Sequence, residues 1–254
     1  MDKKNLMVIS SAEQLLEGRT RREFLKLVGL GGAVIFLPSV LASCNSSSSG
    51  DIMGPPGSGS PLVIDFAKGD VAVLQFAYAL EQLEADFYTR VVANFSSSLS
   101  ANEQAVLGDI KNHEVIHREA LKAVLGASND FTVNPTYGGL NFSDRPSVLT
   151  TARTFEDLGV AAYNGAAQYL SSAANLLVAG KIVSVEARHA SAIRDLIAPK
   201  TATQGDSGTS FAPKSFDDVF SPGKVKTAAQ MFIVEQVTFS NAPSTFVQGP
   251  NNNG

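Results

Sequence analysis

Apolar residues recur with a helical period over four long stretches of the chain. In residues 70–95 the spacings are three, four or seven, at Val73, Phe76, Leu80, Phe87 and Val91. The same kind of pattern covers residues 101–125, 151–179 and 181–197, with Gly126 and Gly180 placed as helix stops. Asp70 is placed to cap the first stretch. These patterns predict four helices, each with an apolar face.

The connections between the helices predict how they are arranged. A short turn joins the first two, so they should be antiparallel neighbours. Residues 127–150 lack a sustained helical period, which predicts a long crossover from one end of a bundle to the other. Residues 224–239 regain a helical pattern after a loop-like segment. The predicted fold is all-α: a four-helix bundle with a long crossover between helices 2 and 3 and a short fifth C-terminal helix.

The N-terminal residues differ in composition from the predicted bundle. Arg21 and Arg22 precede an apolar run, residues 27–41, that glycine and proline interrupt. This run is too short and too broken for a permanent membrane-spanning helix, so residues 1–43 are interpreted as a signal peptide. The paired arginines resemble the twin-arginine export signal, which carries folded proteins across a membrane.

Cys44 follows Leu-Ala-Ser at the point where the apolar run stops. This arrangement resembles a lipobox and predicts a lipidated cysteine that anchors the protein in the cell envelope, periplasmic or on the outer surface. An ordinary signal peptide with a stray cysteine is the alternative. Residues 44–61 are rich in Ser, Gly and Pro and predict a flexible tether. The bundle is expected at residues 62–200, and residues 201–254 form an extension with a short helix and a disordered tail.

Composition limits the chemistry available to the predicted domain. A single cysteine excludes internal disulfides and four-thiolate metal clusters, so any metal must be bound by nitrogen and oxygen. The chain has 20 basic and 24 acidic side chains, of which residues 1–43 hold six and four. The remainder is therefore mildly acidic, which provides no basic surface for nucleic acid.

Two matching half-motifs stand out along the four helices. The first contains Glu81, Tyr88 and then Glu114-x-x-His117; the second contains Glu156, Tyr163 and then Glu186-x-x-His189. Residues three apart on a helix share a face, so each Glu-x-x-His can direct a carboxylate and an imidazole to one point. Each tyrosine follows its glutamate by seven residues, two helical turns, and should lie on the same face.

Charge balance points to two metal ions. Four carboxylates inside a bundle would repel one another, whereas two divalent cations would cancel all four charges. Carboxylate-rich ligation with one imidazole per ion favours iron, with manganese as the alternative. Glu84 also falls within the first apolar stripe and is either an additional ligand or an alternative to Glu81.

The paired motif resembles the ferritin-like di-iron carboxylate superfamily. The sequences around Glu81, Tyr163 and His189 are most similar to exported ferritin-like proteins akin to plant desiccation-related proteins. The resemblance implies a ferritin-like bundle in which Glu114 and Glu186 bridge two metals. It also implies that Glu81 and Glu156 are terminal ligands, that His117 and His189 bind one ion each, and that both tyrosines support the site from outside. Reaction with oxygen or peroxide, in a monomer or small oligomer, is then expected.

The sequence is also compatible with two other functions. One is a non-enzymatic envelope or stress protein that uses the bundle as a scaffold and presents its loops to a partner. The other is a zinc peptidase, because His113-Glu114-Val115-Ile116-His117 also matches the His-Glu-x-x-His pattern, with Glu114 as general base. The peptidase hypothesis leaves Glu186 and His189 without a role. If Glu114 and His117 instead belong to a two-metal site, His113 supports that site from outside or lies on the surface.

Overall fold

The computed structural model describes residues 61–199 and 211–247. Within these segments the main elements are β1 (Leu62–Asp65), α1 (Asp70–Ala93), α2 (Ala101–Leu125), α3 (Arg145–Ala166), α4 (Ala173–Ile197), α5 (Pro222–Ala229) and β2 (Val237–Ser240). α1 packs against α2 and α3 against α4. The predicted all-α four-helix fold with a short fifth helix is confirmed. The signal peptide, Cys44, the tether and the last residues of the tail lie outside the described segments.

α3 begins six residues before its predicted start. Asp144 is its N-cap, and the Asp144 carboxylate accepts the backbone N–H of Ser147 at 2.9 Å. Pro146 lies in the first turn, where its missing N–H leaves no hydrogen bond unmade. The crossover is therefore shorter than predicted and runs from Gly126 to Asp144.

The boundary between α3 and α4 was predicted wrongly. α3 ends at Ala166 and a single 3-10 turn follows, Ala167–Tyr169, whereas the predicted helix continued to residue 179. α4 starts at Ala173, where the hydroxyl of Ser172 caps the helix. Gly180, the predicted stop, lies inside α4, because the cap at Ser172 fixes the start of the helix seven residues earlier.

Asp70 caps the start of α4, and not of its own helix as predicted. Gly69 is the N-cap of α1, with a φ of +57° that favours glycine. The Asp70 carboxylate accepts the backbone N–H groups of Ser171 at 2.8 Å and Ser172 at 3.0 Å, and the side-chain amide of Asn175 at 2.8 Å. These bonds join the N-terminal ends of α1 and α4.

The C-terminal segment contains a strand that the helical pattern did not predict. α5 ends at Ala229, and residues 237–240 pair in parallel with β1, Leu62 opposite Val237. Val237-Thr238-Phe239 is a β-branched and aromatic sequence that suits a strand. The paired strands bring the two ends of the described domain together.

The crossover covers the outer face of α1. The Val133 N–H donates to the Gln82 side chain at 3.0 Å, and the Tyr137 hydroxyl donates to Asp86 at 2.8 Å. With the other helices packed on the remaining faces, every residue from 72 to 85 in α1 is buried. None of the described helices combines the length and apolar composition needed to cross a bilayer.

Replacing Asp70 with Asn should destabilise the domain by about 1–2 kcal/mol, because a neutral amide cannot accept this set of hydrogen bonds as well. The pKa of Asp70 is lowered in the folded state, since these hydrogen bonds outweigh burial. The stabilisation should thus be complete above the unfolded pKa, should be smaller at pH 3 than at pH 7, and should be lost fully only as the pH falls through the lower pKa of the folded state. Urea denaturation at pH 7 and pH 3 tests this. Asp109→Asn, an exposed acid on α2, is the control, and equal losses in both variants would contradict the assignment.

Candidate metal centre

Six side chains from the two half-motifs meet inside the bundle. α1 supplies Glu81, α3 supplies Glu156, and α2 and α4 each supply a Glu-x-x-His pair. All six are buried, and all four glutamates are fully inaccessible to solvent. Their donor atoms form two compact groups: Glu81, Glu114, His117 and Glu186, and Glu114, Glu156, Glu186 and His189. We call these the His117 half-site and the His189 half-site.

Carboxylate oxygens surround each imidazole. In the His117 half-site, Nδ1 of His117 lies 3.0 Å from Glu186 and 3.4 Å from Glu114. In the His189 half-site, Nδ1 of His189 lies 2.8 Å from Glu114 and 3.4 Å from Glu156. Glu114 and Glu186 each direct one oxygen to either half-site. Two groups that share a pair of carboxylates have the geometry needed to hold two neighbouring cations.

Many of these buried atoms have no hydrogen-bond partner within the described protein. They include both carboxylate oxygens of Glu114 and Glu186 and the Nδ1 atoms of His117 and His189. In each half-site the donor atoms lie within 4.8 Å of one another. Buried polar groups without partners are strongly destabilising. Donor atoms that converge without bonding one another fit metal ligands, and the four carboxylates match the charge of two divalent ions.

Each tyrosine supports the glutamate of the opposite half-motif. The Tyr163 hydroxyl donates to Glu81 at 2.5 Å, and the Tyr88 hydroxyl donates to Glu156. Burial and the adjacent carboxylate raise the pKa of both phenols well above the ordinary value, so both remain donors. Both tyrosines lie beside the cluster, and each hydrogen-bonds to the glutamate that precedes the other tyrosine by seven residues. α1 and α3 pack so that the tyrosine on each helix reaches the glutamate on the other helix.

Glu84 lies beside the cluster but belongs to neither half-site. It is 3% exposed, and its Oε2 has no hydrogen-bond partner in the described protein. Gly159 provides the space for it, since a Cβ at Gly159 would lie 3.0 Å from Glu84 Oε1. Gly159 follows Glu156 by three residues, as Glu84 follows Glu81, so the two positions correspond. Comparing these offsets in the sequence would have identified the glycine.

His113 lies outside both half-sites. It is exposed on α2, and its Nδ1 is 2.9 Å from Nε2 of His189. A peptidase zinc site would need His113 and His117 to direct nitrogens to one ion. Among the described residues, the donor atoms close to that of His117 all belong to glutamates, and His113 is not one of that group.

Apolar layers close the cluster on both sides. Leu107 and Ile110 precede Glu114 on the buried face of α2, and Leu121 follows His117. On α4 the corresponding residues are Ile182 and Ile193. Leu80, Leu121 and Tyr163 also line a small apolar cavity, and none of the six cluster residues lines it. The surroundings therefore limit water and strengthen electrostatic interactions inside.

Burial controls the protonation of the cluster. It raises the pKa of Glu81 to about 7 and moves the pKa of Glu186 well above its ordinary value. Burial alone would lower the pKa of His189, but the carboxylates around the ring outweigh it and raise the pKa to about 10. The metal-free cluster therefore holds protons, and a metal ion must displace them to bind.

The bundle and its buried carboxylate–histidine cluster define a ferritin-like protein. The model of the family described as the ferritin-like domain matches residues 69–199, and the chain belongs to that family. The match includes all six cluster residues and the whole crossover. No curated protein matches the chain. The predicted membership of the ferritin-like superfamily is confirmed, while the closer similarity to desiccation-related proteins stays a prediction.

Both Gly159→Ala and Gly180→Ala place alanine inside a helix, which should raise the free energy of unfolding. The rise should be smaller for Gly159→Ala, and the difference between the two variants should be about 1 kcal/mol. Gly180 has open space around it, whereas a Cβ at Gly159 would lie 3.0 Å from the buried carboxylate of Glu84, which must shift to make room. Denaturation of the metal-free protein measures both variants. In a Glu84→Ala background most of the difference between the two gains should disappear. Equal gains already in the parent protein would show that Gly159 makes no space for Glu84.

Adding Mn²⁺ should raise the melting temperature, since binding at 100 times the dissociation constant stabilises by about 2.7 kcal/mol. The rise should be larger at pH 7.5 than at pH 5.5, because protons held by groups such as Glu81 compete with the metal at low pH. Differential scanning fluorimetry at both pH values measures the shift. An equal shift in a Glu114→Ala/Glu186→Ala variant would mean that Mn²⁺ binds elsewhere.

Proposed function

We propose that the cluster binds two divalent ions, iron or alternatively manganese, and that the protein is an oxidoreductase acting on dioxygen or peroxide. The observation that carries this proposal is the pair of four-residue groups that share Glu114 and Glu186. The ligands are oxygen-rich with a single imidazole for each ion, which suits iron and manganese better than a closed zinc site.

Each side chain has a distinct role in this proposal. Glu114 and Glu186 would each hold both ions, Glu81 and His117 would hold one of them, and Glu156 and His189 would hold the other. The hydroxyls of Tyr163 and Tyr88 hold the carboxylates of Glu81 and Glu156 in place from outside. When bound, the ions would supply electrons to dioxygen or peroxide as they pass from the divalent to the trivalent state. The protein contributes fixed geometry and a site from which apolar layers exclude water.

We also propose that the protein works outside the cytoplasm on a lipid anchor. Arg21 and Arg22 support export of the folded chain, and Cys44 supports lipidation at the mature N-terminus. A site filled before export would avoid competition from other metals outside the cell.

Metal content and reactivity with oxygen test the proposed function together. The purified protein, loaded anaerobically with Fe²⁺, should hold two ions per chain. Exposure to air should oxidise them, which a colorimetric Fe²⁺ chelator follows as loss of Fe²⁺. The Glu114→Ala/Glu186→Ala variant should hold fewer than one ion, because both bridging carboxylates are gone.

Asp109→Ala/Glu119→Ala is the matched control, since it removes the same charge from exposed positions on α2. This control should load and react like the parent protein. Fewer than one ion per chain in the parent under metal-replete conditions would refute the proposed site. A loaded protein inert to both oxygen and peroxide would refute the oxidoreductase assignment and favour a scaffold role.

A further inference from the structure

His113 contacts the one nitrogen of His189 that faces away from the cluster. The distance from Nδ1 of His113 to Nε2 of His189 is 2.9 Å, and the two rings are within 11° of parallel. Nδ1 of His189 points to the opposite side, towards Glu114 and Glu156. The two nitrogens of His189 thus have separate partners, an imidazole outside and carboxylates inside.

This contact determines where the proton of a neutral His189 resides. A neutral imidazole that gives Nδ1 to a metal carries its proton on Nε2, and that proton needs an acceptor. Nδ1 of His113 is at hydrogen-bonding distance and can accept it, while the other nitrogen of His113 keeps its own proton. The pair therefore favours the tautomer in which Nδ1 of His189 is free for a metal, and it also restricts rotation of the ring.

The second half-motif offers no equivalent contact to His117. His113 immediately precedes Glu114, and the residue that immediately precedes Glu186 is Val185, which has no polar side-chain atom. The imidazole pair therefore supports only one of two otherwise similar half-sites. We infer that His113 is a positioning residue for His189 and that it makes the His189 half-site bind its ion more tightly. This inference rests on the proposed function, because it assumes that the half-sites hold metal.

Titrating the purified protein with Mn²⁺ tests the inference. Equilibrium dialysis with elemental analysis should show two ions per chain in the parent, one bound more tightly than the other. His113→Ala should weaken the tighter site by about 10- to 100-fold, the usual effect of losing a group that orients a metal ligand. The weaker site should change much less.

A conservative variant and a neighbouring control separate positioning from general damage. His113→Asn keeps an acceptor oxygen near the position of Nδ1 and should restore most of the lost affinity. Asn112→Ala, an exposed neighbour on α2, should bind as the parent does. Denaturation of each metal-free variant checks that it folds.

The outcomes distinguish failure of this inference from failure of the proposed function. A parent protein that binds no Mn²⁺ or Fe²⁺ would overturn both. Two ions of equal affinity in the parent, or unchanged binding in His113→Ala, would overturn only the role of His113. So would equal losses in His113→Ala and His113→Asn, since the effect would then not depend on an acceptor.

Discussion

The structure depends on keeping acidic side chains inside a helical bundle. Glu81, Glu114, Glu156 and Glu186 are fully buried, and several of their oxygens have no hydrogen-bond partner within the described protein. Such an arrangement is tolerable only when cations or protons balance the charge. The rest of the domain serves this cluster: apolar layers close it, tyrosines hold two of the acids, and α1 is covered on its outer face by the crossover.

The bundle is built from two similar halves, and two of the differences between them change the polar groups beside the cluster. Glu84 in the first half corresponds to Gly159 in the second, and the glycine leaves space for the extra carboxyl group. His113 corresponds to Val185, so only one half provides a second imidazole. These differences break the symmetry of the cluster without changing the two glutamates that both half-sites share. On the proposed function, the two half-sites would therefore bind their ions unequally.

The helical pattern was enough to predict the fold and the residues that would meet, because Glu-x-x-His spacing and apolar periodicity are local properties of a helix. The pattern failed where a long-range contact decides the structure. Asp70 binds the start of a helix about a hundred residues away, and that helix, α4, begins at Ala173, seven residues before the apparent break at Gly180. The pairing of Tyr88 with Glu156, the contact of His113 with His189 and the strand at residues 237–240 also depend on partners distant in the sequence.

On the proposed function, each half-site binds one metal ion and the two ions share Glu114 and Glu186. Anomalous X-ray scattering from crystals of the protein soaked with Mn²⁺ or Fe²⁺ tests this. Two anomalous peaks are expected, one next to His117 and one next to His189, with the two shared carboxylates between them. Peaks only at the protein surface, or a single peak bound by His113 and His117, would contradict it.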